Sequence, residues 1–543
     1  ALTANTTGGD NTAVGKGALD AVTTSSNNTA VGADALGANT TDNNTAFGAF
    51  AMAATTTGTG NVAVGISALD TNTTGASNVA VGQNALTANT TASNNTAAGK
   101  DALTANTTGH SNVAVGTGAS TAVTTANHTT ALGRNALYAN TTAANNTAIG
   151  SHALYTNTTS TGNTAVGYGA LNLATSGNNT AVGTNAGANI STGASNTAMG
   201  TSALNANTTG ASNVSVGFES LKANTTGANN TAVGSYALDA NTTADNNTAV
   251  GKSALSANTT AATNTAVGNA ALVVTTTGGA NTAVGHAALY SNVTGTNNVA
   301  VGTNAMQNNT VSNNIAIGYF SMMSNTTGTQ NTVVGTTALD ANTTGDNNTA
   351  VGFNALTANT TADGNTCLGH DAGDVITTSG SNTMLGRDTD PSSATSNGHE
   401  IAIGANAVGK GVSTGFMNAN GGANYAGNNS ASWSTTSDRR IKKNIEDNNT
   451  GLDKINDIRV RNFEYRLPEE VDPELPSHAA IDKEGIQLGV IAQEIMDVLP
   501  DVVKQESTGC YTVDPDNLTW YLVNAVQELS AEVEELRSQI NEN

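Results

Sequence analysis

Large side chains are what this chain has least of. Only 3% of its 543 residues are aromatic and 11% are charged, while Gly, Asn, Thr and Ala dominate. A conventional core is built from large apolar side chains, so a string of ordinary globular domains is excluded for most of the length. Proline is nearly missing: the six present, Pro391, Pro468, Pro473, Pro476, Pro500 and Pro515, all fall late in the chain. Proline lacks the backbone donor that a β-ladder needs, so the proline-free tract is open to unbroken strand pairing. Cys367 and Cys510 lie in different regions and imply no disulfide framework. There is no signal peptide and no apolar run long enough to cross a bilayer, so membrane insertion is not expected. Lys and Arg number 18 against 40 Asp and Glu, and roughly half of the net charge of −22 lies in the last hundred residues. Without a basic stripe, no nucleic-acid partner is expected.

What is there is a repeat. Asn-Thr-Ala-Val-Gly or a close variant begins at Asn11, Asn28, Asn44, Asn61, Asn78, Asn95 and Asn112, and the series runs on to Asn348, Asn365 and Asn382 at a spacing that is almost always 17 residues. An irregular member, Glu400-Ile401-Ala402-Ile403-Gly404, closes a set of about 24 units. Low complexity can mean disorder, but disordered segments lack regularly spaced Val, Ile and Leu. A fixed short period predicts a solenoid in which each unit buries its apolar side only against its neighbours. The chain starts at Ala1 in mid-repeat, which suggests that a segment precedes it.

Within a unit, Thr12 is exchanged for Val62, Val113 or Ile315, and Val14 for Ile149, Leu132 or Ile317. Both sites favour β-branched or apolar groups. Two residues apart, they share one strand face, expected to be the interior. Ala13 and its equivalents would then sit on a crowded opposite face such as an inter-chain contact. Gly15 should turn the chain, because glycine alone takes positive φ cheaply. Leu19, Leu36, Leu69 and their equivalents form a second apolar ladder, and Asn-Thr-Thr-Gly reads as the return turn. Two short strands and two turns per coil predict a flattened parallel β-roll, roughly 115 Å long at about 4.8 Å per coil.

Other readings of the repeats fare worse. The Thr12, Thr29 and Thr45 ladder could bind ice, but that site swaps with Val and so reads as inward-facing. The Asn-x-Thr triplets fit turn chemistry better than glycosylation in the absence of a signal peptide. No aspartate column recurs as a calcium roll requires. His110, His128, His152, His286 and His370 occupy no fixed column, so no metal and no cofactor is expected. No carboxylate pair recurs as glycoside hydrolysis would need.

Three segments follow from this organisation: a β-solenoid shaft over 1–404, an irregular tip or neck over 405–436, and a small α/β module over 437–543. The tip holds Phe416, Tyr425 and Trp433 among small polar residues. They are candidate contacts to a host cell-surface receptor, a glycan or a protein; alternatively they plug the end of the roll, with Trp433 the preferred plug. In the module, Leu488 to Pro500 reads as a strand entering a short helix stopped by proline. From Thr519, the positions Leu522, Val526, Leu529, Val533, Leu536 and Ile540 form a heptad seam.

The shaft resembles the head repeats of trimeric autotransporter adhesins, through Thr147-Ala148-Ile149-Gly150 and Ile315-Ala316-Ile317-Gly318. That resemblance implies a left-handed parallel β-roll with three chains side by side, although the period here is longer. The module resembles the C-terminal intramolecular chaperone of endosialidase-type phage tail spikes and fibres, a self-cleaving serine peptidase. Its motif Ser-Asp-x-Arg-x-Lys-x-x-Ile is matched by Ser437, Asp438, Arg440, Lys442 and Ile445, and Leu488 to Glu494 and Leu522 to Leu529 also look like the family. The resemblance implies Ser437 as nucleophile, Lys442 as its base and cleavage at Ser437–Asp438, with Arg440 and Ile445 as supporting motif residues. A lysine can serve as base if desolvation or neighbouring cations lower its pKa, and Arg439, Arg440 and Lys443 lie close in sequence. The expected protein is a homotrimeric phage tail fibre, attached to the virion through a missing N-terminal part. The alternative is a bacterial surface filament or adhesin with the same self-cleaving assembly module.

Overall fold

The computed structural model describes residues 1–396, 398–419, 422–426, 439–467, 470, 472, 483–505 and 509–542. The chain divides into two compact units, Ala1–Thr436 and Ser437–Asn543. The first is mainly β, a parallel solenoid of about 24 turns. Its strands β1 (Thr12–Val14) to β24 (Ile401–Ile403) are three residues each, and each pairs in parallel with the next, as in Thr12↔Thr29, Ala13↔Ala30 and Val14↔Val31.

The strand faces are the reverse of the sequence expectation. The middle alanines, such as Ala30, Ala46 and Ala63, are fully buried, whereas the flanking Val62 and Val64 are 36% and 40% exposed. The physical reason is width. Each strand packs against a second alanine column (Ala18, Ala35) and the leucine column (Leu19, Leu36), all without solvent exposure, and the space between them takes little more than a methyl group. Val333 is accommodated at the middle site with Ala338 and Leu339 of its coil unchanged, whereas two other larger residues come with local adjustments. Ser215 pairs its hydroxyl with Ser220, which replaces an alanine. Cys367 lies beside Gly373, which replaces a leucine, and a Cβ added at Gly373 would lie 2.6 Å from the Cys367 sulfur. The threonine ladder of Thr12, Thr29 and Thr45 likewise lies on the outer face and not inward.

Each coil also carries one strand instead of the expected two. Leu19, Leu36 and Leu221 adopt φ of 50°, 50° and 46°, in the left-handed region, so the leucine column is a turn and not a strand. Inter-coil bonding continues through it, as Leu36 N–H donates to Ala51 O at 3.0 Å. Where the leucine is lost, a branched residue three positions on fills the gap: Val123 after Ser120, Ile190 after Gly187 and Ile376 after Gly373, all fully buried. The glycine ending each strand does turn the chain. Gly251 has φ of 139°, and a Cβ there would lie 2.4 Å from Gly268 O of the next coil.

Two asparagine ladders run beside the apolar columns. Asn78 N–H donates to Asn61 Oδ1 at 2.9 Å, and Asn78 Nδ2 donates to Ala92 O at 2.8 Å. In the second ladder, Asn89 Nδ2 reaches Asn72 Oδ1 at 2.9 Å and Asn106 Nδ2 reaches Asn89 Oδ1 at 3.0 Å. These side chains are buried, so each bond also spares a polar group from going unpaired. The second ladder is interrupted where the next coil lacks asparagine, as at Asn106, Asn157 and Asn258, which face Val123, Ala174 and Thr275, and also at Asn140 and Asn292, where the next asparagine bonds within its own coil; the Oδ1 atoms of all five have no partner.

At the C-terminal end of the shaft the columns change character. Asp390 stands in the leucine column and Glu400 in the asparagine column. Glu400 is 1% exposed and accepts from Ser392 N–H at 3.0 Å and Ser392 Oγ at 2.6 Å. A hairpin follows: β25 (Gly415–Ala419) continues the parallel ladder from β24, and β26 (Gly422–Ala426) runs antiparallel to it. Phe416 aligns with Ala402 in the buried middle column and is 5% exposed, with Lys410 Nζ 4.6 Å above its ring. Phe416 is therefore a plug of the solenoid core and not an exposed contact, because its register directs it inward.

The second unit is a small α/β region. It comprises α1 (Leu452–Asn456), the antiparallel pair β27 (Arg461–Phe463) and β28 (Gln487–Gly489), α2 (Ala492–Met496), a 3-10 turn at Pro500–Val502, the hairpin β29 (Val503–Gln505) and β30 (Tyr511–Val513), and the terminal helix α3 (Pro515–Glu542). Its core is Ile495, Leu499 and Val502, with Ile458, Val490, Leu518 and Tyr521 packed around them. Asp514 starts α3, accepting from Asp516 N–H at 3.1 Å and Asn517 N–H at 3.3 Å, with Pro515 in the first turn. Lys504, 2.9 Å away, holds the Asp514 carboxyl below its usual range.

Candidate functional site

The motif segment begins as a 3-10 turn at Arg439–Ile441, after which Lys442 N–H donates to Arg439 O at 3.2 Å. Lys442 is exposed and Ile445 is 57% exposed. Ser437, Asp438 and Trp433 lie outside the described residues. Tyr425 stands opposite Phe416 in the β25–β26 register, its side chain outside the described set.

Downstream of the motif, the chain docks on α3. Asn524 Nδ2 donates to Asn448 O at 2.7 Å and Thr450 O at 3.2 Å, and Leu452 N–H donates to Glu528 Oε2 at 2.5 Å. Gly451 permits the approach, since a Cβ there would lie 2.5 Å from Ala525 N. A groove of about 620 Å³ lies along this contact, lined by Glu446, Asp447, Asn448, Asp501, Trp520 and Tyr521 among others. Tyr521 donates to Asp501 at 2.6 Å, and that acceptor raises the phenol pKa. Arg461 holds Glu494 through two bonds of 2.8 and 3.0 Å, which lowers the carboxyl pKa.

The contacts Gly451, Asn524 and Glu528 were missed as site residues by sequence reasoning. A signal existed: Asn524 and Glu528 are four apart and off the heptad seam, and so share a second helix face. No described residue covers the seam: Leu522, Val526, Leu529, Leu536 and Ile540 are 45%, 63%, 48%, 57% and 73% exposed. One helix thus presents one face to its own chain and leaves another apolar and open.

On the shaft, His370, Asp371 and Asp388 bring ligand atoms within 4.8 Å of one another. All three groups are already engaged, with His370 Nδ1 2.7 Å from Asp371 Oδ2 and Arg387 Nη1 2.8 Å from Asp388 Oδ2. Burial, with Asp374 beside it, pushes the Asp390 carboxyl up to about 6. Burial raises the Cys367 thiol pKa as well, which disfavours the thiolate.

Fold and site together define a class: a long repeat shaft joined to a compact C-terminal module that docks its own entry segment on an otherwise open helix. Residues 437–504 match the family described as chaperone of endosialidase. That match and the solenoid of about 24 turns fit a tail fibre with a C-terminal chaperone. No curated protein and no solved structure matches the chain. No helix among the described residues is long and apolar enough to cross a membrane.

Proposed function

We propose that the protein is a homotrimeric fibre, a phage tail fibre for host attachment, whose C-terminal module assembles the shaft and then removes itself. The observation that carries this reading is a coincidence of boundaries: the family match begins at Ser437, the first residue of the second compact unit. Chaperone modules of this family suggest trimeric assembly, and parallel pairing of near-identical coils needs one. A slip by one coil costs little in side-chain fit, so several chains require a common starting point. The module supplies it, and coils propagate away from the junction.

In the cleavage step, the Lys442 amine takes the Ser437 Oγ proton and the freed oxygen attacks a backbone carbonyl. The C–N bond breaks, the leaving nitrogen takes a proton and water hydrolyses the ester. Attack by Ser437 on its own carbonyl would close a strained four-membered ring, whereas attack on the Thr436 carbonyl closes a five-membered one. Attack between chains avoids the ring altogether. Receptor contact belongs to the tip, with Tyr425 and Trp433 as the aromatic candidates. A surface filament or adhesin built by the same route is the alternative.

The test is a denaturing gel of the expressed chain beside a Ser437→Ala variant. The wild type should release a fragment of about a hundred residues and the variant should not. A wild type that stays whole under all folding conditions would sink the cleavage claim.

A further inference from the structure

The exposed strand face of the shaft carries a continuous apolar column that no described part of the chain covers. Its third-position column runs Val14, Val31, Phe47, Val64, Val81, Ala98 and onward, and it is apolar in all 24 strands. The first-position column is Thr, Val or Ile throughout, and none of the 24 strands holds a charge. Solvent-facing columns elsewhere on the coil look different. The two residues after each strand glycine, and the one after the leucine, include Lys16, Asp70, Arg134, Tyr168, Glu219 and Lys252. Twenty-four copies of one coil are an internal comparison: some exposed columns vary freely, and this exposed face does not.

We infer that this face, the β1–β24 columns of Thr12 and Val14, is the surface through which copies of this chain pack on one another along the shaft, turned to a common axis. Size supports a stable contact. Two residues span roughly 7 Å across the face and the strip runs roughly 115 Å, on the order of 800 Å² per chain. That footprint equals one partner's share of a standard interface, and the apolar column, about half of it, is by itself the size of the largest apolar patch usual on a monomer, about 300–600 Å². The occupant is a second copy for a further reason. The α3 seam is a separate open apolar surface whose heptad pattern suits packing against the same seam of a parallel second copy. Copies started in parallel by that helix present shafts running the same way with coils level, so Val14 meets Val14 and Phe47 meets Phe47. Ordered water on the threonine column is a weaker occupant, since threonine fills one column only and the other is apolar.

This inference rests on the homotrimer reading, and thiol crosslinking of the full chain in a Cys510→Ser, Ser437→Ala background separates the two. Val81→Cys and, independently, Val233→Cys place a thiol on the face; Gln83→Cys and Ser235→Cys place one two residues on, past the glycine. Mild oxidation should give covalent dimers from the face variants roughly tenfold faster than from their neighbours, as expected for thiols held at high effective concentration. Solution mass measured alongside decides what a failure means. Trimers that crosslink only through Gln83→Cys and Ser235→Cys, or through none of the four, overturn this assignment and leave the homotrimer standing. A monomeric mass overturns both, and ice-growth inhibition by that monomer would give the face to ordered water.

Discussion

Single side chains in this shaft act through columns, so one substitution is read against its neighbours above and below. Thr275 is an example. It stands where the second ladder expects asparagine, and Asn258 Oδ1 beneath it has no hydrogen-bond partner. Leu272 is in place, so the column needs no compensating bulk there, unlike at Ser120 and Val123. Thr275→Asn should extend the ladder and raise stability by about 1 kcal/mol, the usual net worth of a buried hydrogen bond. The measurement is the denaturant midpoint of the full chain, and an unchanged or lower midpoint contradicts it.

At the scale of the coil, the last turns of the shaft depart from the rest and become sensitive to pH. Asp390 replaces a leucine and is half-buried, and its carboxyl is raised from 3.8 to about 6, first by burial and then by Asp374. A raised folded-state pKa means the folded form binds the proton more tightly than the unfolded chain. Its stabilising contribution is therefore full below about 4 and is lost as pH rises through about 6. The terminal coils should exchange their amide hydrogens faster at pH 7 than at pH 5, after correction for intrinsic exchange. Asp390→Leu, which restores the column, should flatten that dependence, and a persistent pH effect in the variant would assign it elsewhere.

At the scale of the molecule, the proposed route of assembly from one end followed by cleavage would trap the shaft kinetically. On the proposed route, cutting removes the module that sets register, so a cut fibre that unfolds has lost its starting point whereas an uncut chain keeps it. Wild-type shafts freed of the module should fail to refold after denaturation, while the Ser437→Ala chain should recover its β-signal by circular dichroism. Equal recovery of the two would place the registering information in the shaft itself.

The period of 17, the absence of proline and the regular Val and Leu made the solenoid legible before any coordinates, because a repeat reports its own architecture. The strand into α2 and the α3 heptads were legible for the same reason, through local pattern. The sequence could not say which strand face was inside: alternation assigns two faces without labelling them, and only the closed coil shows that the alanine column is the buried one. Nor did it reveal that the leucines turn the chain, since a non-glycine φ near 50° is costly and is held only by packing on every side. The plug followed the same logic, Phe416 being placed inward by its register with Ala402. Sequence alone determined that the chain is a long repeat ending in a chaperone-like module. Tertiary structure decided what faces out, because burial is a property of the closed coil and not of any one unit.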